Sequence, residues 1–358
     1  MKVYIFALIL ATTLANAAER KNVIINTGIS RTRNESSKRF NLFVFLCALS
    51  LVLIAGLRYN VGTDYIGYVT SFERRSETWF SDLLNWKEPG IGFIGAISKF
   101  MGGGPYLMLF MVSAIIIFLY VATIRKHSDD FALAIALYIL IGCWHNSFNG
   151  LRQYLAASIL FAGHGFLKER KLIKWIIVVG IASLFHRTAI VLFPVYFVAD
   201  EKLDWKRIII IVVFTIVLLL SSDVLFSIME DLKGKDQSQL EYANRSVKSL
   251  RIIVTFAPLA LAVIRGKEFF KDPENAFYIK MLIINAGFML ATSSSAYLAR
   301  VGIYTEIYTA MGIPRLIKGM STKNKNIWIV IIVGLYIIFW WYELSSRASL
   351  VNWHWLFD

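Results

Sequence analysis

Apolar runs too long for the core of a small soluble domain recur from one end of the chain to the other. Residues 42–57, "LFVFLCALSLVLIAGL", and residues 107–124, "LMLFMVSAIIIFLYVATI", carry no charged residue. About 20 such residues cross a hydrocarbon layer as a helix, which satisfies its own backbone groups. A membrane β-barrel would show short alternating segments instead. Composition agrees: 57% of the 358 residues are hydrophobic, mean hydropathy is +0.59, and 17% are charged, against roughly a quarter in soluble domains. The pattern predicts an all-α, polytopic integral membrane protein with about 10–12 transmembrane helices in one domain, 1–358. The expected spans are 3–18, 40–57, 106–124, 131–145, 151–166, 175–185, 188–199, 208–222, 251–264, 279–297, 301–317 and 327–342.

The net charge of +14 would point to nucleic acid in a soluble protein. Here it reads as the Lys/Arg excess of cytoplasmic loops, and no nucleic-acid partner is expected. Cys47 and Cys143 both lie in apolar runs and suggest neither a disulfide nor a metal site. The start, "MKVYIFALILATTLANAAER", carries a signal-peptide-like Ala15-Asn16-Ala17. The next loop holds Arg20, Lys21, Arg31, Arg33, Lys38 and Arg39 against Glu19 and Glu35. So basic a loop is expected inside, with 3–18 as an uncleaved first span.

Residues 175–199 decide the topology. Read as one helix, they export the later basic loops. Read as two short arms meeting at Phe185-His186-Arg187, they keep those loops inside. The expectation is therefore a broken or re-entrant pair, which membranes tolerate where protein or water covers the break. Two large outer loops follow, 58–105 and 223–250, the first with an interfacial helix.

This topology gathers several polar residues at the outer mouth: Arg58, Asp64 and Tyr65 in "RYNVGTDYIGY"; Glu88; Asn149, Arg152 and Gln153; His186; and Arg300. A snorkelling side chain would explain one arginine, but lysine serves that purpose equally. Arginine adds a planar fork that grips phosphate with two hydrogen bonds. Tyr297, Arg300, Tyr304 and Tyr308 share one helical stripe if an α-helix continues through that turn. Such a stripe is either a sugar-stacking wall or an interfacial aromatic belt. His186 is either a proton shuttle or a cap for freed backbone, and Asp64 is a competing base. His164 reads as a helix–helix hydrogen-bonding residue. No nucleotide-binding, zinc or serine-hydrolase pattern occurs in a fitting context, the DxD of metal-dependent sugar transferases is absent, and neither metal nor cofactor is expected.

In order, "RYNVGTDY", "EPGIGF", "NGLRQYLA", "SLFHRTA" and "ARVGIY" resemble the EpsG family of Wzy-like exopolysaccharide polymerases. The matches run from about residue 58 to 304. The resemblance implies a glycosyltransferase-type enzyme of polysaccharide biosynthesis in the bacterial inner (cytoplasmic) membrane. Such an enzyme joins polyprenyl-diphosphate-linked oligosaccharide repeats into exopolysaccharide, capsule or O-antigen on the outer face. The implied partners are those lipid-linked glycans, membrane lipids, and a chain-length regulator and flippase of the same pathway. Arg152 and Arg300 would stabilise the leaving diphosphate, with His186 as base and Asp64 second. Arg58, Tyr65, Glu88, Asn149, Gln153, Tyr297 and Tyr304 would wall or position substrate. A glycan ligase would use the same logic. A lipid-linked oligosaccharide transporter would predict internal repeats and polar groups on both faces, and the sequence shows no repeat.

Overall fold

The computed structural model describes residues 1–26, 41–74, 88–200, 205–220, 249–293 and 298–358. Among them the architecture is helical, and the one extended pairing is an isolated bridge between Arg58 and Trp355. The first half comprises α1 (Lys2–Asn26), α2 (Leu42–Gly56), α3 (Tyr65–Arg74), α4 (Pro89–Phe100), α5 (Pro105–His127), α6 (Phe131–Leu140), α7 (Cys143–Asn146), α8 (Leu151–Ala162) and α9 (His164–Lys168). Next come α10 (Leu172–Phe185), a 3₁₀ segment (Arg187–Leu192), α11 (Val195–Val198) and α12 (Trp205–Leu220). The last described helices are α13 (Ser249–Phe270), α14 (Pro273–Ala291), a second 3₁₀ segment (Leu298–Tyr304), α15 (Ile307–Ile317), α16 (Thr322–Ser345) and α17 (Ala348–Val351).

Helix starts follow local chemistry. Asn41 accepts from the Val44 N–H at 3.1 Å and Asp130 from Leu133 at 3.0 Å, filling donors that a first helical turn leaves open. Asp272 does the same for Glu274 at 2.9 Å, and Pro273 sits where no donor is needed. Among the described residues, four helices are long and apolar enough to cross a membrane: Lys2–Arg20, Pro105–His127, Ser249–Gly266 and Thr322–Ser345. Shorter apolar helices accompany them, among them α2, α6 and α10. Large apolar side chains stay exposed along whole faces, such as Ile173, Ile176, Ile177 and Ile181 on α10 and Val330, Ile331, Leu335 and Ile338 on α16. Water would penalise such continuous faces and lipid would not. The chain is an all-α, multi-pass membrane protein.

Several expected spans are interrupted. Residues 131–145 break at Gly142, φ +101°, between α6 and α7. Residues 151–166 break at Gly163, between α8 and α9. The stretch 301–317 starts as a 3₁₀ turn and becomes α-helical only at Ile307. The change of period breaks the expected tyrosine stripe: Tyr308 leaves it for the interior, its hydroxyl 3.3 Å from Nδ1 of the enclosed His164. Tyr297 and residues 223–248 of the second outer loop lie outside the described residues.

The pair at 175–199 is two antiparallel arms. The 3₁₀ segment packs back on α10. At the far end Tyr196 Oη donates to the Arg170 carbonyl at 2.6 Å, and Arg170 donates back to the Tyr196 carbonyl. Both arms therefore begin and end at one end of the bundle. That same end collects the ion pairs Arg315–Asp272 (2.8 Å), Lys318–Asp129 (2.6 Å) and Lys168–Glu274 (2.6 Å). The tip, His186, lies at the opposite end.

Candidate functional site

Glu88 is the hub at that opposite end. It stands immediately before α4, with Pro89 as the first helical residue, where the helix N-terminus favours negative charge. Gly90 sets the distance to the tip: a Cβ there would fall 2.6 Å from the Phe185 ring. Only the bare backbone lets α4 come down on the end of α10. Glu88 Oε2 then meets Arg152 Nη1 at 2.6 Å, and Oε1 lies 2.9 Å from His186 Nδ1. Oε1 also accepts from the Arg187 backbone N–H at 3.2 Å. Burial would raise the Glu88 carboxyl, but His186, Arg152 and the Arg187 N–H outweigh it and hold the group below the ordinary carboxylate range.

Arg152 opens α8, and 44% of its side chain remains exposed, so the fork is reachable from outside. Its backbone N–H faces the Tyr68 hydroxyl at 3.4 Å. Gln153, one residue on, is buried and donates from Nε2 to the Arg300 carbonyl at 2.8 Å, pinning the second 3₁₀ turn to α8. From that turn Tyr304 reaches Thr188 beside the tip, 2.7 Å between hydroxyl oxygens. Asp64 accepts from Thr63 Oγ1 at 3.2 Å and feels the charges of Arg300 and Arg152. Burial nevertheless lifts its carboxyl above the ordinary range, against the pull of those arginines.

Asp64, Glu88, Arg152, Gln153, His186, Arg300 and Tyr304 therefore converge from separate segments. Arg58 does not join them. It is 2% exposed, donates to the carbonyls of Val61 (3.3 Å) and Ala55 and to Ser113 Oγ (3.2 Å), and lies 4.6 Å over the Phe148 ring. Tyr65 is enclosed next to it. Asn149 braces the preceding loop, its Oδ1 accepting from the Thr63 N–H at 2.7 Å. Gly62 makes that brace fit: its φ is +104°, and a Cβ would lie 2.7 Å from the Phe148 carbonyl oxygen.

Tyr68 and Thr188 join the site without being marked out by the sequence motifs. Tyr68 stands one helical turn after Asp64, a spacing that places two side chains on one face. Glu306, a carboxylate between two apolar stretches, is a further case: it accepts from Tyr154 Oη at 2.7 Å and borders a cavity of about 30 Å³. An acid at that depth was itself a signal.

A multi-pass helical bundle that gathers arginines, carboxylates and an imidazole at one end defines a class: a membrane protein with a charge-lined site at the mouth of its helices. The model of the EpsG family matches residues 41–355, most of the chain, and the chain belongs to that family. Neither curated proteins nor solved structures yield a match.

Proposed function

We propose that this protein joins polyprenyl-diphosphate-linked oligosaccharide repeats into a longer glycan. The observation that carries the reading is the Arg152–Glu88–His186 cluster, with Asp64 and Arg300 beside it, at the end of the bundle opposite the basic loops. The positive-inside tendency turns that end outward, and family membership supports a role in exopolysaccharide polymerisation. In a bacterium the site would then face away from the cytosol across the inner membrane.

Each group has a chemical task. The acceptor hydroxyl loses its proton to His186, and the oxygen attacks the anomeric carbon of the donor. The bond from that carbon to the diphosphate oxygen breaks, and polyprenyl diphosphate leaves with the electron pair. Arg152 and Arg300 meet the charge that develops on it; preorganised positive charge in a water-poor site acts strongly there. Glu88 holds the imidazole, and Asp64 is the second candidate base. Gln153, Tyr304 and Thr188 fix the walls. Arg58, Tyr65 and Asn149 support the loop that carries Asp64. The chain-length regulator and flippase remain proposed partners of the pathway.

The test is reconstitution. Purified protein in lipid vesicles receives lipid-linked repeats and no nucleotide sugar. A ladder of polymer lengths is the expected product, lost in Arg152→Lys and His186→Ala. An unchanged ladder from both variants at equal protein level would overturn the assignment. Single transfers to a different lipid or protein acceptor would point to a ligase.

A further inference from the structure

The Glu88 carboxylate is divided unevenly, and this bears on how the two substrates are sequenced. One oxygen, Oε1, has two contacts on the tip: His186 Nδ1 at 2.9 Å and the Arg187 N–H at 3.2 Å. The other, Oε2, is held by Arg152 at 2.6 Å. The tip contacts include a backbone donor, which has no rotamer to change. The Arg152 contact depends on a long side chain with 44% of its surface exposed.

Resting on the reading above, we propose that Glu88 is a positioning residue whose charge passes from Arg152 to His186 when a diphosphate binds. A diphosphate offers Arg152 several anionic oxygens in the geometry a guanidinium prefers. Arg152 leaves Oε2 for them. Glu88 stays with the tip through Oε1, and its negative charge, no longer shared with a guanidinium, acts on the imidazole. His186 becomes the stronger base only once the donor is seated, so the acceptor is activated in the presence of its electrophile.

Among the described residues, the charged and titratable groups around the imidazole come from five segments. Glu88 approaches from the start of α4 and Arg152 from α8. Arg187 follows on the same segment, and Tyr304 and Arg300 come from the second 3₁₀ turn, bound through Thr188 and Gln153. Asp64 faces Arg152 and Arg300.

The experiment follows the His186 imidazole by NMR in full-length, histidine-labelled protein in nanodiscs, assigned through His186→Gln. Its titration midpoint is measured alone, with saturating inorganic pyrophosphate, and with farnesyl diphosphate. A nearby unshared opposite charge shifts such a midpoint by about one unit or more. The wild-type midpoint is expected to rise by about that much with either probe, and by less than about half as much in Glu88→Gln. Pyrophosphate should also bind Glu88→Gln about twofold to fivefold more tightly, since a partly exposed ion pair no longer competes. A brace of purely structural importance would weaken binding instead. If Glu88→Gln does not fold, Arg152→Ala serves: its midpoint should already be raised with no probe added, and a midpoint equal to that of the wild type overturns charge passing. An equal rise in Glu88→Gln, or weaker pyrophosphate binding by it, overturns charge passing while leaving the polymerase reading intact. Failure of both probes to bind wild-type protein overturns the polymerase reading itself.

Discussion

Replacing Arg58 should damage the fold and spare the chemistry of whatever protein still folds. The side chain is enclosed and far from free: it donates to two carbonyls and to Ser113 Oγ and lies over the Phe148 ring. Hydrogen bonds from a charged donor contribute about 1.5–3 kcal/mol each, and acceptors left unmet in the interior lose about 1–3 kcal/mol each. A desolvated cation over an aromatic ring adds about 2 kcal/mol. These terms overlap, and Ser113 keeps its own bond to the Leu109 carbonyl at 2.8 Å. Arg58→Ala is therefore expected to destabilise by about 3–5 kcal/mol, in line with breaking other buried charge networks. Arg58→Lys, which keeps a charge and loses the fork, should lose about half of that. The assay is a thermal scan of purified protein in one detergent, followed by polymer formation per folded molecule. The expected pattern is a lower melting temperature with a near-normal length distribution from the folded fraction. An Arg58→Lys protein with wild-type melting temperature and no polymer would refute the reasoning and return Arg58 to the substrate.

Arg152→Lys should retain the charge and the fold yet lose at least tenfold in transfer rate, measured by single-turnover consumption of a lipid-linked repeat, because an ammonium is a point charge without the planar fork. Gly62→Ala should destabilise by about 1–3 kcal/mol through its positive φ and the nearby Phe148 carbonyl; denaturation in detergent checks it, and an unchanged midpoint would mean that the loop adapts. Glu88 has a depressed carboxyl, so its stabilising contribution is present above the ordinary glutamate range and is lost as pH falls through the lowered folded value. Thermal scans across that acid window should show wild-type protein losing more stability than Glu88→Gln, and parallel curves would contradict the sign.

What could be read in the sequence was what composition and period control. Continuous apolar runs allow only helices in lipid, and basic loops choose a side, so the reversal at Phe185-His186-Arg187 followed from the need to keep those loops together. The Arg170–Tyr196 contacts close that pair as expected. The site was legible as a set of residues at one depth, but not as a set of contacts. Glu88 and His186 are neighbours because Gly90 admits the Phe185 ring, a steric fact with no local signature. Arg58 looked like a site arginine because its sequence neighbours do. Its direction is set by where the Val61 carbonyl, Ser113 and the Phe148 ring happen to pack. The tyrosine stripe failed because 3₁₀ geometry at Leu298–Tyr304 changes the angular step per residue.

The length of α10 has a consequence for the surrounding lipid. Its 14 residues rise about 21 Å at 1.5 Å each. It starts beside Lys168, Arg170 and Lys171, which anchor it at one headgroup layer. A hydrocarbon layer about 30 Å thick leaves its tip roughly 9 Å short of the opposite surface. Hydrophobic mismatch of that size is relieved by thinning the bilayer or by a water-filled dimple in the protein. Either way, the His186 tip sits below the plane of the surrounding headgroups, so a polar ligand that reached it would cross a step in the bilayer surface.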